Sequence, residues 1–378
     1  MTGDSSGPAA AAEDVRWMRR ALALAERARG LCSPNPMVGA VVVSDGRLVG
    51  QGFHAEAGGA HAEVEALNEA GDRARDATLY VTLEPCNHQG RTPPCVDVVL
   101  RAGIRRVVVA SADPNRRVRG GGTEALREAG ITVDVGCLGE DARALNRIFF
   151  VAMERLRPHV TLKCAMTLDG KIAAFDRSAR WITGEEARQE AHRLRSENDA
   201  VMVGIGTVLA DDPALTVRLD PPWPREPLRV VVDSRARLPR DAQLIRGGTP
   251  GRVIVAVADE APAERVAPLE ALGVTVLACK SRDDRVDPAD LLSRLFTLDV
   301  TGVLLEGGSE LNWAFVEGGL VDRVAMFVAP MLVGGSTAPT AVGGRGFRLP
   351  EALRLRSLAA RPLGSDWLLE GDVARPEV

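Results

Sequence analysis

The sequence predicts two successive α/β domains, and three observations carry that prediction. At 378 residues the chain is more than twice the roughly 150 residues of an average domain. Helical and strand periodicities alternate from Glu13 to Val135, the pattern of a three-layer α/β sandwich whose later strands run largely parallel. Arg157-Pro158 then breaks the chain, and a second α/β rhythm begins. The expected divisions are a disordered tail over 1–12, a first domain over 13–150 and a second over 157–378. With 46% hydrophobic and 26% charged residues the chain has an ordinary globular composition.

In the first domain, Glu13 to Arg29 places apolar residues at helical spacing, and Gly30 offers a stop. Ser33-Pro34-Asn35-Pro36 is a proline-broken loop feeding the strand Val38 to Val43. Asp45-Gly46 is a hairpin turn, so Arg47 to His54 returns antiparallel. A helix follows from His61 to Ala70, then a strand from Thr78 to Leu83. Pro93-Pro94 suits the first turn of a helix reaching Leu100. Arg105 to Ser111 is a buried strand, Thr123 to Ala129 a short helix and Ile131 to Val135 a last strand. One connecting helix is expected over Asp141 to Arg155.

The second domain opens with a strand over His159 to Met166. Thr183-Gly184-Glu185-Glu186 has the form of a capping box for a helix reaching Ser196. Strands are expected at Ala200–Gly204, Leu228–Asp233, Arg252–Ala256, Val274–Leu277, Gly302–Leu305 and Arg323–Ala329. Helices are expected from Pro288 to Leu298 and from Ser309 to Val316. The two halves share no repeat.

Several functions are disfavoured at once. A net charge of −4 is unlike a dedicated nucleic-acid binder, and no apolar run nears the roughly 20 residues that span a bilayer. The N-terminus has neither the basic nor the apolar region of a signal peptide. Six scattered cysteines fit a reducing, cytoplasmic setting better than a disulfide scaffold.

The chemistry-bearing stretch runs from His61-Ala62-Glu63 to Glu84-Pro85-Cys86 and Cys95. One His and two Cys suit zinc, and three protein ligands leave a fourth position for water. Glu63, two residues from His61, is placed to move that water's proton rather than to bind the metal. H-x-E followed by P-C and a second Cys is the pattern of zinc nucleobase deaminases. A structural zinc is the bland alternative, but such sites close with four ligands, and His88 stands only two residues from Cys86.

Eight residues separate Cys86 from Cys95, where nucleoside deaminases have two. With Ser33-Pro34-Asn35-Pro36, His61-Ala62-Glu63-Val64 and Asp113-Pro114-Asn115, this spacing resembles the deaminase domain of the bifunctional riboflavin-biosynthesis proteins of the RibD family. The resemblance implies a cytidine-deaminase-like fold and removal of the 2-amino group from a diamino-ribosylamino-pyrimidinone 5′-phosphate. Asn35 suits the pyrimidine edge, His88 and Arg91 the ribose or phosphate, and Asp113 and Asn115 the pocket wall. Asn35 and Asn115 also serve as plain turn residues. The family's second Pro after Asn115 is replaced by Arg116.

From Val160 onward the chain is similar to that family's reductase domain, whose fold resembles dihydrofolate reductase. Lys163 to Lys171, Trp181-Ile182-Thr183, Gly206 to Thr216 and Glu306-Gly307-Gly308-Ser309 carry the likeness. It implies NADPH-dependent reduction of the ribosyl chain to ribityl. By resemblance Lys163, Arg195, Leu215, Arg218 and Glu306 line the substrate side, and Met166, Trp181, Thr207 and Asp211 the cofactor side. Family members commonly assemble as dimers or tetramers through this domain. Locally, Gly307-Gly308-Ser309 opens a helix after a strand, which suits a pyrophosphate. Ser234, with Arg235, follows another strand and suits a 2′-phosphate, favouring NADPH. Ala179 stands where the family has Ser. The rival reading is a deaminase with a silent second half, which would release ammonia without oxidising NADPH.

Overall fold

The computed structural model describes residues 8–88, 93–115, 121–247 and 252–374, and among residues 8–10 the backbone only. It divides into two compact units, Met1–Leu156 and Arg157–Val378.

The first unit is a five-stranded sheet between two helical layers. Its order is β2 (Arg47–Phe53), β1 (Gly39–Ser44), β3 (Thr78–Val81), β4 (Arg106–Val109), β5 (Thr132–Val135). The first two pairings are antiparallel and the last two parallel. Alternate residues of each strand face opposite layers. Val41, Val43, Tyr80 and Val108 pack on α1 (Pro8–Glu26) and α5 (Gly139–Leu145). Ala40, Val42, Leu79, Val81 and Val107 pack on α2 (Ala62–Ala70), α3 (Cys95–Arg101) and α4 (Gly122–Glu128). A Cβ at Gly50 would stand 2.1 Å from Ala66 O, so glycine there lets α2 lie hard against β2.

Two expectations fail in this unit. The expected tail over 1–12 is helical from Pro8, because Pro suits a first turn and the Ala run that follows has the highest helix propensity. Residues 1–7 lie outside the described residues. The connecting helix over 141–155 is two helices, α5 and α6 (Arg147–Arg155), parted at Asn146. The Asn146 carboxamide accepts from Met37 N at 2.7 Å and donates to Met37 O at 2.8 Å. That buried side chain pins the proline-broken loop, and the helix yields to it.

The second unit holds a nine-stranded sheet in the order β10-β9-β8-β7-β13-β6-β14-β16-β15. Its left part is parallel: β10 (Thr275–Cys279), β9 (Val253–Ala258), β8 (Leu228–Val232), β7 (Ala200–Gly204), β13 (Gly302–Leu305), β6 (His159–Thr167) and β14 (Arg323–Ala329). The antiparallel hairpin β15 (Leu355–Leu363) and β16 (Asp366–Val373) completes it. The helices α7 (Glu185–Ser196), α8 (Ile205–Asp211), α9 (Gln243–Arg246) and α10 (Ala263–Glu270) cover one face, and α11 (Pro288–Thr297) and α12 (Ser309–Glu317) the other. A small hairpin, β11 (Ser281–Arg282) and β12 (Arg285–Val286), stands apart.

The capping box at Thr183 does not form. Gly184 is the N-cap of α7 without a side-chain cap, and its N–H donates to Asp366 Oδ2 at 2.7 Å. A buried carboxylate from the far hairpin takes the N-cap N–H, the donor that the glutamate of a capping box would have bonded.

Candidate active sites

In the first unit three donor atoms converge. His61, Cys86 and Cys95 each offer one ligand atom, all within 4.8 Å of one another. His61 Nδ1 stands 3.0 Å from Cys95 Sγ and 3.5 Å from Cys86 Sγ. Zinc–nitrogen and zinc–sulfur bonds at tetrahedral angles put N and S roughly 3.5 Å apart, so the donor set fits that metal. Backbone placement explains the convergence. His61 is the N-cap of α2 with extended dihedrals (φ −74, ψ 156), so its ring turns away from the helical path that begins with Ala62. Cys95 is the first residue of α3, and its N–H donates to Cys86 Sγ at 3.3 Å.

Glu63 is 3% exposed and reaches both His61 and Cys95. Burial raises its carboxyl above the usual range, against the opposing charge of His61. Cys86 is pulled down to about 4, first by the hydrogen bond from Cys95 and then by His61. The same hydrogen bond, with burial, pushes the Cys95 thiol up.

Around the cluster the other expected residues divide. Asn35 Nδ2 donates to His54 Nε2 at 2.9 Å, because His54 Nδ1 is engaged by Ala60 O at 2.9 Å. The buried His54 ring meets His61 edge-on at 5.5 Å, which links Asn35 to the cluster. Asp113 is buried and held up at about 6, chiefly by burial, and its Oδ1 accepts from Asn115 N at 2.8 Å. Buried Glu84 fixes this turn: it accepts from Asp113 N, Thr123 N and Thr123 Oγ1 at 3.0–3.2 Å. His88 is exposed. Arg91 and Arg116 lie outside the described residues. Sequence reasoning missed His54 and the role of Glu84. The signal for His54 was rarity, since the chain has five histidines.

In the second unit a charge triad, largely shielded from solvent, joins Lys163 in the middle of β6, Glu306 just past β13 and Arg195 on α7. Glu306 accepts from Arg195 Nε at 2.6 Å and Nη2 at 2.9 Å, and from Lys163 Nζ at 3.5 Å. Burial alone would push the Glu306 carboxyl up, but Arg195 and then Lys163 outweigh it and hold it far below the usual carboxylate range. Beside them Leu215 is buried with φ 54, and Arg195 Nη1 donates to Thr216 O at 3.0 Å.

A cavity of about 730 Å³ opens in the same unit, lined by Thr207, Asp211, Ser234, Arg235, Gly308 and Ser309 among others. These residues suit a dinucleotide: small backbone groups at the start of α12, and a hydroxyl with a cation at the far end. Ala179 lines the cavity as well. Three residues expected at a cofactor do not stand on its wall. Met166 lies within β6 opposite Val328. Trp181 is 68% exposed with the Arg188 guanidinium 4.6 Å above its ring. Gly307 sits behind the wall, where a Cβ would meet Asn312 Oδ1 at 2.6 Å. Its glycine is a packing requirement. Ser234 Oγ already accepts from Val286 N at 3.0 Å, which ties the small hairpin to the cavity.

The RibD C-terminal domain matches residues 158–369, more than half of the chain. The chain belongs to the RibD family. The cytidine and deoxycytidylate deaminase zinc-binding region matches residues 11–111 of the other half. The riboflavin biosynthesis protein RibD of Actinobacillus pleuropneumoniae is 44% identical over 364 residues, 96% of each chain. A structure of Acinetobacter baumannii RibD is 39% identical, covers 96% of this chain and 99% of its own, and has a TM-score of 0.87. A Thermotoga maritima diaminohydroxyphosphoribosylaminopyrimidine deaminase/5-amino-6-(5-phosphoribosylamino)uracil reductase is 35% identical, covers 96% and 99%, and has a TM-score of 0.83. RibD proteins join a deaminase to a reductase in riboflavin biosynthesis, and this chain carries both halves.

Proposed function

We propose that the first unit deaminates 2,5-diamino-6-ribosylamino-4(3H)-pyrimidinone 5′-phosphate with zinc held by His61, Cys86 and Cys95. The second unit then reduces the ribosyl chain to ribityl with NADPH, giving 5-amino-6-ribitylamino-uracil 5′-phosphate. The observation that carries this reading is the three-atom donor cluster with a buried, non-ligating carboxylate beside it.

Bound zinc lowers the pKa of a water toward about 7. Glu63 takes the proton from that attacking water and delivers it to the departing ammonia. Its raised pKa fits both duties, since the group must be charged as base and then hold the proton as acid. Asn35, fixed by His54, presents its carboxamide oxygen to the pyrimidine edge. Asp113 and Asn115 close the pocket on a turn that Glu84 holds, and His88 and Arg91 serve the ribosyl phosphate.

In the second unit the hydride comes from NADPH, and the protein orients it against the ribosyl carbon. Thr207, Asp211, Ser234, Gly308 and Ser309 hold the cofactor in the cavity, with Met166, Trp181 and Gly307 shaping its surroundings. Lys163 and Arg195, fixed on Glu306, and Arg218 beyond Leu215 face the anionic substrate. The enzyme works in the cytoplasm, a setting its free cysteines support. It assembles into a dimer or tetramer through this unit, where the outermost strand β15 exposes Leu355 and Leu358. No helix of the described residues is long and apolar enough to cross a membrane.

Replacing Glu63 by Gln tests the reading: zinc stays bound while ammonia release collapses. Undiminished ammonia release by that variant would remove Glu63 from the chemistry.

A further inference from the structure

The loop 215–218 is gripped at three successive residues by three side chains, and one of them is a histidine that the chemistry above does not use. Arg195 Nη1 donates to Thr216 O at 3.0 Å, Val217 N donates to Glu226 Oε2 at 3.1 Å, and Arg218 N donates to His192 Nδ1 at 3.3 Å. Leu215, at the head of the loop, is buried in the left-handed region, which a residue other than glycine occupies only when its surroundings impose it. The path of this loop is therefore set by its anchors.

The chemistry of the third anchor is specific. A main-chain N–H only donates, so His192 Nδ1 must offer its lone pair and the ring proton sits on Nε2. A charged imidazolium has no acceptor and would drop the contact. The surroundings keep the ring neutral. Burial, then Arg195 on the same helix and Arg218 on the loop, hold it near 4, against Glu306 at the end of β13 and the main chain of Thr216. His192 lies three residues before Arg195 on α7, so one helix face presents both. The Arg218 side chain is exposed, with no hydrogen bond or ion pair among the described residues.

We propose that His192 is a positioning residue of the reductase half: it holds the main chain at Arg218 so that the free guanidinium meets the phosphate of the pyrimidine substrate. The inference rests on reading Arg195, Leu215 and Arg218 as the substrate side. It predicts a loss in substrate binding without a loss in hydride transfer, because His192 is not on the wall of the cofactor cavity.

The test uses the full chain, with the deaminated ribosylamino-uracil phosphate and NADPH, and three variants. His192→Phe keeps the ring and removes the acceptor. It should raise KM for the pyrimidine about tenfold, the loss expected for one hydrogen bond, with kcat and KM for NADPH within about twofold. His192→Asn places an amide oxygen near Nδ1 and should restore KM to within about twofold of wild type. Ammonia release by either variant should match wild type. An unchanged KM in the Phe variant, or a KM in the Asn variant as high as in the Phe variant, overturns the proposal. So does a fall confined to kcat. Arg218→Ala separates the parent reading: if its KM for the pyrimidine equals wild type, the loop is not on the substrate side and the proposal falls with it.

Discussion

In the first unit the three donor atoms lie within 4.8 Å of one another, and His61 and Cys95 are 34 positions apart. In the second, Lys163 and Glu306 meet across 143 positions and Arg195 joins them from a third element. The contrast follows from where the reactive power resides. Zinc chemistry needs specific inner ligands, and two helix starts with the loop before the second deliver them over a short span. Hydride chemistry belongs to the cofactor, so the protein supplies a cavity and a fixed set of charges gathered from two strands and a helix. One site is a compact motif and the other a distributed scaffold. The two should therefore break in different ways.

The sharpest break is at Glu63. Glu63→Gln should lower ammonia release by about 10²–10⁴-fold, the usual worth of a general acid–base group, with zinc content unchanged by elemental analysis. NADPH oxidation on deaminated substrate should continue at the wild-type rate. Loss of zinc in this variant would make Glu63 part of the metal shell and erase the distinction between ligand and proton carrier.

The second unit should fail through stability as well as rate. Glu306→Gln leaves two largely shielded cations without their carboxylate; a fully buried pair costs about 3–5 kcal/mol to break, and this partly exposed one should cost less. Thermal melting should show that unit losing stability while zinc binding persists. A melting curve identical to wild type would show that the triad contributes nothing to the fold.

The same carboxyl gives a pH signature. Its pKa is depressed on folding, so its stabilisation is fully present above the ordinary carboxylate value of about 4.3 and is lost as pH falls below it. Stability measured from pH 7 down to 3 should fall more steeply in wild type than in Glu306→Gln. Parallel curves would contradict the depressed pKa.

The smallest effect is at Ala179, on the wall of the cavity. Ala179→Ser should tighten ligand binding by about 1 kcal/mol, or roughly fivefold, if the new hydroxyl finds a partner. Titration with NADPH and with the pyrimidine would show which ligand gains. No gain for either would leave the Ala without consequence.

What the sequence made legible follows the same contrast. The zinc motif could be read because His61, Glu63, Cys86 and Cys95 are close along the chain and each residue type has one obvious use. The strands β1, β3 and β4 could be read because both faces are buried and their apolar runs are continuous. Features set by distant partners could not. Asn146 breaks a helix to bond Met37, 109 positions away, and the N–H of Gly184 at the start of α7 is bonded by Asp366, 182 positions away. The strand β15 was missed because it is an exposed edge whose arginines hide its period. His54 acts on Asn35 and His192 on the Arg218 backbone through single ring nitrogens, and no local pattern announces such a contact. Most reductase residues were assigned by resemblance, with Ser234 and Gly307-Gly308-Ser309 read from their places after strands, and three of the assigned residues, Met166, Trp181 and Gly307, stand off the cavity wall.

The central claim is that one chain runs both reactions in sequence. The direct measurement supplies zinc-loaded protein with the diamino-pyrimidinone ribosyl phosphate and follows ammonia release with and without NADPH. The account predicts ammonia in both cases and NADPH oxidation whenever the cofactor is present. Ammonia without NADPH oxidation would leave a deaminase joined to a silent second unit, and no ammonia at all would contradict the assignment of the zinc site.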